Sequence, residues 1–283
     1  MGIRIVTDST SDIDVLEAAE KGISVGRLTV VIDGVEYVEG DTITYKDFFE
    51  KADNAKGPVL TSQPSPDSFL KIFNEAKEAG DYVIGLFVSQ NLSGTFQSAN
   101  IAARASEYDK IYLIDTNNIS ISVRLMVYKA YELIQSGMGF EELCKTMEDY
   151  KNRLDAYTIV GDLTYLKRSG RLSPGTAFVA NLLNIKPVTT VNGKVDVVAK
   201  PRGKKGAIEK ALDIIENTTT GIDKNEMCIV GYIGPETTWH KDLIIRLDER
   251  FGVAKNLKVY PIGASVGNHV GADSVAIAFF RNN

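Results

Sequence analysis

The sequence predicts an α/β protein in two lobes, a parallel-sheet α/β lobe over residues 1–155 and an α+β lobe over 156–283. Three observations carry that expectation. In the first half, short apolar runs alternate with amphipathic helical stretches, the pattern of a parallel sheet with helices on both faces. In the second half the strands fall instead into hairpins and adjacent runs, with Asn192-Gly193 the strongest two-residue turn signal. The chain also has ample core, with 44% hydrophobic and 24% charged side chains in 283 residues, enough for one large or two ordinary domains.

Residues 3–6 form the first strand and lead through Thr7-Asp8-Ser9-Thr10-Ser11-Asp12 into a helix over 13–21. Asp8, at the strand end, could serve as a general base or metal ligand, but is better read as ordering hydroxyl-rich loops through hydrogen bonds, because no second acidic cluster or histidine lies nearby in sequence. Runs 28–32 and 35–38 flank the hairpin signal Asp33-Gly34. Thr44-Tyr45-Lys46-Asp47 has the form of a capping box, opening a short helix with Phe48 and Phe49. Val59-Leu60-Thr61-Ser62 is a short apolar run ending in hydroxyls. Ser65 then serves as N-cap, with Pro66 the first residue of a helix over 66–79. Residues 82–88 are apolar, β-branched and aromatic, as a buried parallel strand requires. Ser93-Gly94-Thr95 hands that strand over to a helix over 95–108, with Ile101 and Ala102 on its inner side. A strand over 111–115 and helices over 122–136 and 140–154, parted by Gly137-Met138-Gly139, complete the first lobe.

The second lobe opens with a strand over 156–160 and a helical turn at 163–166. Lys167-Arg168-Ser169-Gly170-Arg171 follows, then an apolar stretch over 177–183 ended by Lys186-Pro187. Strands over 188–191 and 195–199 pair across Asn192-Gly193, and Lys200-Pro201-Arg202-Gly203-Lys204-Lys205 leads into a helix. A strand over 227–233, a helix over 238–251, a strand over 257–262 and a loop over 263–271 precede the closing strand over 275–280. No internal repeat or low-complexity segment is present.

Open α/β sheets bind ligands at the carboxyl edge of their strands, and a helix start there adds free N–H groups and a positive dipole end. Two hydroxyl-bearing turns, at Thr61-Ser62 and at Ser93-Gly94-Thr95, are expected to converge on one crevice. Taken alone, Ser93 and Thr95 are better explained as helix caps. Neutral donors without a nearby lysine, and no G-x-x-x-x-G-K-[ST] loop, point to a singly charged anion such as a carboxylate rather than a phosphate. Of the two histidines, His240 reads as a surface residue. His269, between glycines in a loop, reads as a ligand contact whose protonated form an anion would favour. Lys167, Arg168, Arg171, Lys200 and Arg202 cluster beside glycine turns, where cations more often solvate a surface but also suit an anion or a protein partner.

The net charge of −5 argues against nucleic acid as a partner. Cys144 and Cys228 have neither metal spacing nor a disulfide framework, which fits the cytoplasm. No apolar run approaches a membrane span, and the N-terminus enters a strand at once, without a signal peptide or myristoylation signal. Any dealing with a membrane would be a transient surface contact.

In this order, Thr7-Asp8-Ser9, Thr61-Ser62-Gln63-Pro64-Ser65, Leu92-Ser93-Gly94-Thr95, Leu166-Lys167-Arg168-Ser169-Gly170-Arg171, Lys186-Pro187, Asn192-Gly193 and Gly267-Asn268-His269-Val270-Gly271 resemble the motifs of the DegV family across the whole chain. The resemblance implies two α/β lobes with a long-chain fatty acid buried between them, and no cofactor. It also implies a role as the fatty-acid-binding subunit of a bacterial fatty acid kinase, a carrier whose phosphoryl transfer is done by the kinase's catalytic subunit. By the same resemblance Thr61, Ser62, Ser93, Gly94, Thr95 and His269 hold the carboxylate, and Arg168, Arg171 and Arg202 face the phosphoryl group or the kinase. Three positions depart from the family pattern. Ser169 replaces a glycine, and Gly271-Ala272-Asp273 replaces Gly-Pro-Gly, so Asp273 is expected to face solvent. Arg124 interrupts an apolar run, and would shorten or reshape the tail pocket if it lined it.

Burying a methylene is worth about 0.8 kcal/mol, so a tail of roughly sixteen carbons contributes on the order of 12 kcal/mol before costs. An apolar cavity between lobes would supply that enclosure. Phosphoryl transfer would need metal-binding carboxylates and phosphate grips, for which the sequence has no convincing candidates. The rival reading is a serine hydrolase or acyltransferase using Ser93 with His269 and Asp8, although Ser93 lacks the G-x-S-x-G elbow. A third is a small-molecule or nucleotide sensor using the same crevice.

Overall fold

In the computed structural model, residues 2–173, 184–234 and 238–283 are described. A four-stranded parallel sheet runs in the order Ile23–Gly26, Ile3–Asp8, Tyr82–Phe87, Ile111–Asp115. Its central strand Tyr82–Phe87 reads as a near-continuous apolar run because both faces are covered. Phe69 and Phe73 of the Pro66–Ala79 helix and Ala99 and Ala102 of the Thr95–Ala105 helix bury one face, and the Ile121–Gln135 helix buries the other. Within Thr95–Ala105 the buried positions are Thr95, Ser98, Ala99 and Ala102, one stripe at helical spacing, so Ile101 faces outward at 46% exposure, against expectation. The edge strand Ile23–Gly26 is unheralded in the sequence, since four residues with Ser and Gly give no usable alternation.

A six-stranded sheet follows in the order Lys194–Ala199, Val188–Asn192, Leu154–Ile159, Ser274–Phe280, Cys228–Ile233, Leu257–Pro261, antiparallel except for its last pair. Its side chains alternate faces with period two. Tyr157, Ile159, Val275, Ile277 and Phe279 pack outward under the Gly203–Thr218 and His240–Phe251 helices, whereas Ala156, Ala276 and Ala278 turn inward to the core shared with Ile121–Gln135. That helix touches both sheets, and buried residues run through most of its length. The small inward residues leave space between the sheets.

The third sheet is the antiparallel set Val35–Val38, Thr29–Ile32, Leu60–Ser62. Asp33 and Gly34 turn its hairpin with φ of 49° and 81°, as the dipeptide predicts. Leu60–Ser62 therefore pairs with the hairpin and not with the parallel sheet. The expected loop holding His269 is a helix, Ala264–Val270, and His240 is no free surface residue, its ring stacking on Tyr232 at 4.6 Å. The apolar stretch over 177–183 lies outside the described residues. Among those described, no helix is long and apolar enough to cross a membrane.

Candidate ligand-binding site

Between the two larger sheets lies a cavity of about 280 Å³, near the lower end of small-molecule sites. Leu28, Ile119, Ile121, Val191, Ile233 and Ile262 supply apolar wall, and Ala156 and Ala276 its small-residue floor. One end carries a cluster of polar side chains. Thr61, Ser62 and Gln63 arrive on the third sheet, Ser93 and Gly94 on the turn after Tyr82–Phe87, and His269 on the last turn of Ala264–Val270. Arg171 reaches the same wall from just past the Leu163–Ser169 helix. Ser62 and Gln63 are exposed while Thr61, Ser93 and His269 are half-buried, so this end is the mouth.

Hydrogen bonds fix these groups before any ligand arrives. Thr61 Oγ1 and His269 Nε2 lie 2.8 Å apart, a contact spanning both lobes. Ser93 Oγ and Thr95 Oγ1 lie 2.9 Å apart, and the Thr95 N–H also donates to Ser93 Oγ. Gln63 Nε2 donates to the Gly94 carbonyl at 3.1 Å and to Ser98 Oγ at 2.8 Å. A Cβ at Gly94 would sit 1.9 Å from Gln63 Oε1, so a larger residue there would have to displace the Gln63 side chain. Arg171 donates to the Leu92 carbonyl at 3.4 Å and to the Ser169 carbonyl. Burial, reinforced by the Arg171 charge, pushes His269 down to about 4, so its imidazole is neutral at physiological pH. A carboxylate entering this cluster would meet hydroxyl donors, one fixed cation and an imidazole whose protonated form the new anion favours.

Of the residues expected to hold a carboxylate, Thr61, Ser62, Ser93, Gly94 and His269 line one cavity, while Thr95 is fully buried behind Ser93. Among the expected cations, only Arg171 is on the cavity wall. Arg168 is exposed with its guanidinium 5.2 Å from the Tyr165 ring centre, and Arg202 is exposed at the start of Gly203–Thr218. Asp273 is paired with Lys204 at 2.8 Å and is 43% exposed, facing away as expected. Asp8 orders the loops as read from sequence, accepting from the Thr10 N–H at 2.9 Å, from Thr10 Oγ1 and from the Val88 N–H at 3.0 Å.

The opposite end has a feature that sequence reasoning missed. Thr10, Ser120 and Ser265 line the cavity, and each donates its hydroxyl to a carboxylate off the cavity wall: Thr10 to the buried Asp8, Ser120 to the partly buried Asp12 at 2.6 Å, Ser265 to the buried Glu39 at 2.7 Å. Their donors are spent, so they offer the cavity carbon and lone pairs rather than free O–H groups. Burial pushes Asp8 up to about 6 and Asp12 up to about 7, and raises Glu39 too; the hydrogen bonds from Thr10, Ser120, Gly263 and Ser265 oppose this. Only the Thr7-to-Asp12 run announces this arrangement, and nothing near Glu39 in sequence does.

Fold and cavity together define a class: two-lobe α/β proteins with an apolar chamber between sheets and a polar mouth. The chain belongs to the DegV family, whose model, described as "Uncharacterised protein, DegV family", matches residues 2–282. A DegV domain-containing protein of Caldanaerobacter subterraneus is 31% identical over 98% of each chain. The solved structure described as fatty acid binding of a DegV family protein from Thermus thermophilus matches with a TM-score of 0.85, 31% identity and 100% of both chains. DegV of Bacillus subtilis, described as a fatty acid binding protein, matches with a TM-score of 0.82, 28% identity and 100% of both chains.

Proposed function

We propose that this protein binds a long-chain fatty acid, with its tail in the inter-sheet cavity and its carboxylate at the mouth, and presents that carboxylate to a separate ATP-dependent kinase. One observation carries the reading: the cavity wall is mainly apolar, and at one end Thr61, Ser93, His269 and Arg171 converge. Relatives described as fatty acid binding, similar over their whole length, support it. Ser62 and the Gly94 backbone complete the head-group site, and Thr95 holds Ser93 in position. Arg171 belongs with the carboxylate, given its place on the wall and its effect on His269. Arg168 and Arg202, exposed and off the wall, are left for the phosphoryl group or the kinase.

Ser93 is ill placed as a hydrolase nucleophile. Its Oγ is engaged with Thr95, His269 Nε2 with Thr61, and Asp8 with Thr10 and Val88, so the elements of a triad are committed elsewhere.

Denaturing extraction of the purified protein followed by mass spectrometry is expected to release a fatty acid in near-stoichiometric amount. Stoichiometric nucleotide, or no lipid even after incubation with several fatty acids, would defeat the reading. Replacing Thr61 and Ser93 together by Ala removes two hydrogen bonds to a charged group, worth about 1.5–3 kcal/mol each. Ligand occupancy and exchange rate should change sharply with the fold intact. If neither moves, the carboxylate sits elsewhere. For the kinase role, Arg168→Ala with Arg202→Ala should leave fatty acid affinity unchanged and slow ATP-dependent phosphorylation of the bound acid by a cognate kinase. Normal turnover would return these arginines to the solvated surface.

A further inference from the structure

The room in the cavity is decided behind its wall as well as on it. Arg124, which would reshape the pocket if it lined it, is off the wall: it is 2% exposed and paired with Glu17, with the Tyr128 hydroxyl 2.8 Å away. Across the six-stranded sheet, one row of directly paired residues runs Thr189, Thr158, Ala276, Gly231. Residues paired in this way share a face. Thr189, Thr158 and Ala276 line the cavity. Gly231, the fourth and smallest, does not. Ile121 and Ile262 stand over it instead, and both are on the cavity wall. A Cβ on Gly231 would lie 2.7 Å from Ile262 Cδ1 and 2.9 Å from both Ile262 Cγ1 and Ile121 Cγ2.

The backbone does not call for glycine here, since φ at Gly231 is not positive. Glycine inside a strand costs stability relative to alanine, and it marks places where something must approach closely. At Gly231 the close neighbours are two side chains of the cavity wall. We propose that Gly231 is a specificity-determining residue, which recesses Ile121 and Ile262 against the sheet and so sets the bulk of acyl chain the cavity accepts. The inference rests on the fatty acid reading of the cavity. Ile121 and Ile262 are 1% and 2% exposed and belong to the main core. Packed interiors hold few voids, so side chains displaced by a methyl group at position 231 move toward the cavity, the open side. Gly85, in the strand Tyr82–Phe87, is the matching case away from the cavity. A Cβ there would lie 2.5 Å from Phe87 Cε2 and 2.6 Å from Leu113 Cδ2, and neither residue lines the cavity.

The test uses the delipidated full-length protein and saturated fatty acids from myristic to stearic in a competition assay. The quantity read is the affinity for the longest acid that the wild type binds, divided by the affinity for myristate. Lost space penalises the chain that fills the cavity most, so Gly231→Ala should lower this ratio. Room lost for one methylene corresponds to about fourfold. Adding Ile262→Ala, which removes more bulk than the first change adds, should return the ratio to the wild-type value or beyond. Gly85→Ala, an overpacking of the same kind, should lower the melting temperature and leave the ratio alone. An unchanged ratio in Gly231→Ala overturns the proposal, as does an equal fall in Gly85→Ala or a fall that Ile262→Ala does not reverse. Should Gly231→Ala not fold, the double variant decides, because it is expected to fold and to bind as the wild type does; a double variant that also fails to fold overturns the proposal by placing the clash elsewhere than at Ile262. A wild type that binds no acid of the series rejects the fatty acid reading itself, a result distinct from binding with an unshifted ratio.

Discussion

Asp12 shows how single residues set the behaviour of the cavity wall. Its backbone is left-handed, with φ of 59°, and its neighbour across the wall, Ser120, has φ of 65° and ψ of −135°, a region nearly confined to glycine. The Ser120 hydroxyl on Asp12 compensates for that strain, with Ser120 buried and Asp12 partly so. A carboxyl whose pKa rises from 3.8 to about 7 on burial keeps its proton longer in the fold than in the unfolded chain. Its stabilising contribution is thus complete below the unfolded value and is lost as pH rises through the folded one. Asp12→Asn keeps an acceptor for the Gly263 N–H without the charge. The variant is expected to melt above the parent near about pH 8, where the parent must ionise a buried acid, and to lose that advantage by about pH 5. Thermal melts of both proteins across that range check it; an offset independent of pH would mean that Asp12 does not titrate as described. The sequence offers Asp12 as part of a polar run but gives no sign of its partners, because Ser120 and Gly263 are far along the chain.

At the scale of elements, legibility followed the range of the interaction. The Asp33-Gly34 hairpin, the Thr44 capping box and the Ser65-Pro66 helix start are all present because each is decided within a few residues. The Ala264–Val270 helix escaped sequence reading because Gly263, Gly267 and Gly271 and the β-branched Val266 and Val270 disfavour it locally. It forms through packing: a Cβ on Gly267 would lie 2.9 Å from the Phe49 ring, and Glu39 caps Ser265 from another element. The residues proposed to hold the head group were legible as motif letters, whereas the Gln63 hydrogen bond to the Gly94 carbonyl was not. Gly161 gives an element-scale test. It follows the Leu154–Ile159 strand where the chain meets the turn at 272–273, and a Cβ there would lie 2.6 Å from both the Ala272 and Asp273 carbonyl oxygens. Backbone on both sides cannot swing aside, so Gly161→Ala should cost about 1–3 kcal/mol or more by overpacking. A denaturant midpoint unchanged from the parent would show that the turn is free to move.

For the whole molecule, the two larger sheets share the Ile121–Gln135 helix and the core around it, with the cavity between them. A ligand that binds only the folded state stabilises it by mass action, about 2.7 kcal/mol at a free concentration one hundred times Kd. That gain is not spread evenly. The Leu60–Ser62 strand is held by a single neighbour and carries Leu60 at 58% exposure, and the Ala264–Val270 helix meets it through the Thr61–His269 contact. The outer helices Gly203–Thr218 and His240–Phe251 rest on a core that the cavity does not touch. Stripping the lipid should therefore lower the melting temperature and raise amide exchange in Leu60–Ser62, Ala264–Val270 and the turn carrying Ser93, leaving the two outer helices as protected as before. Adding oleate back should restore both in a concentration-dependent way. Hydrogen exchange of stripped and reloaded protein decides the matter. Equal protection in both forms, with removal of the lipid verified by mass spectrometry, would show that the cavity is held open by the protein alone and that its occupant plays no part in joining the lobes.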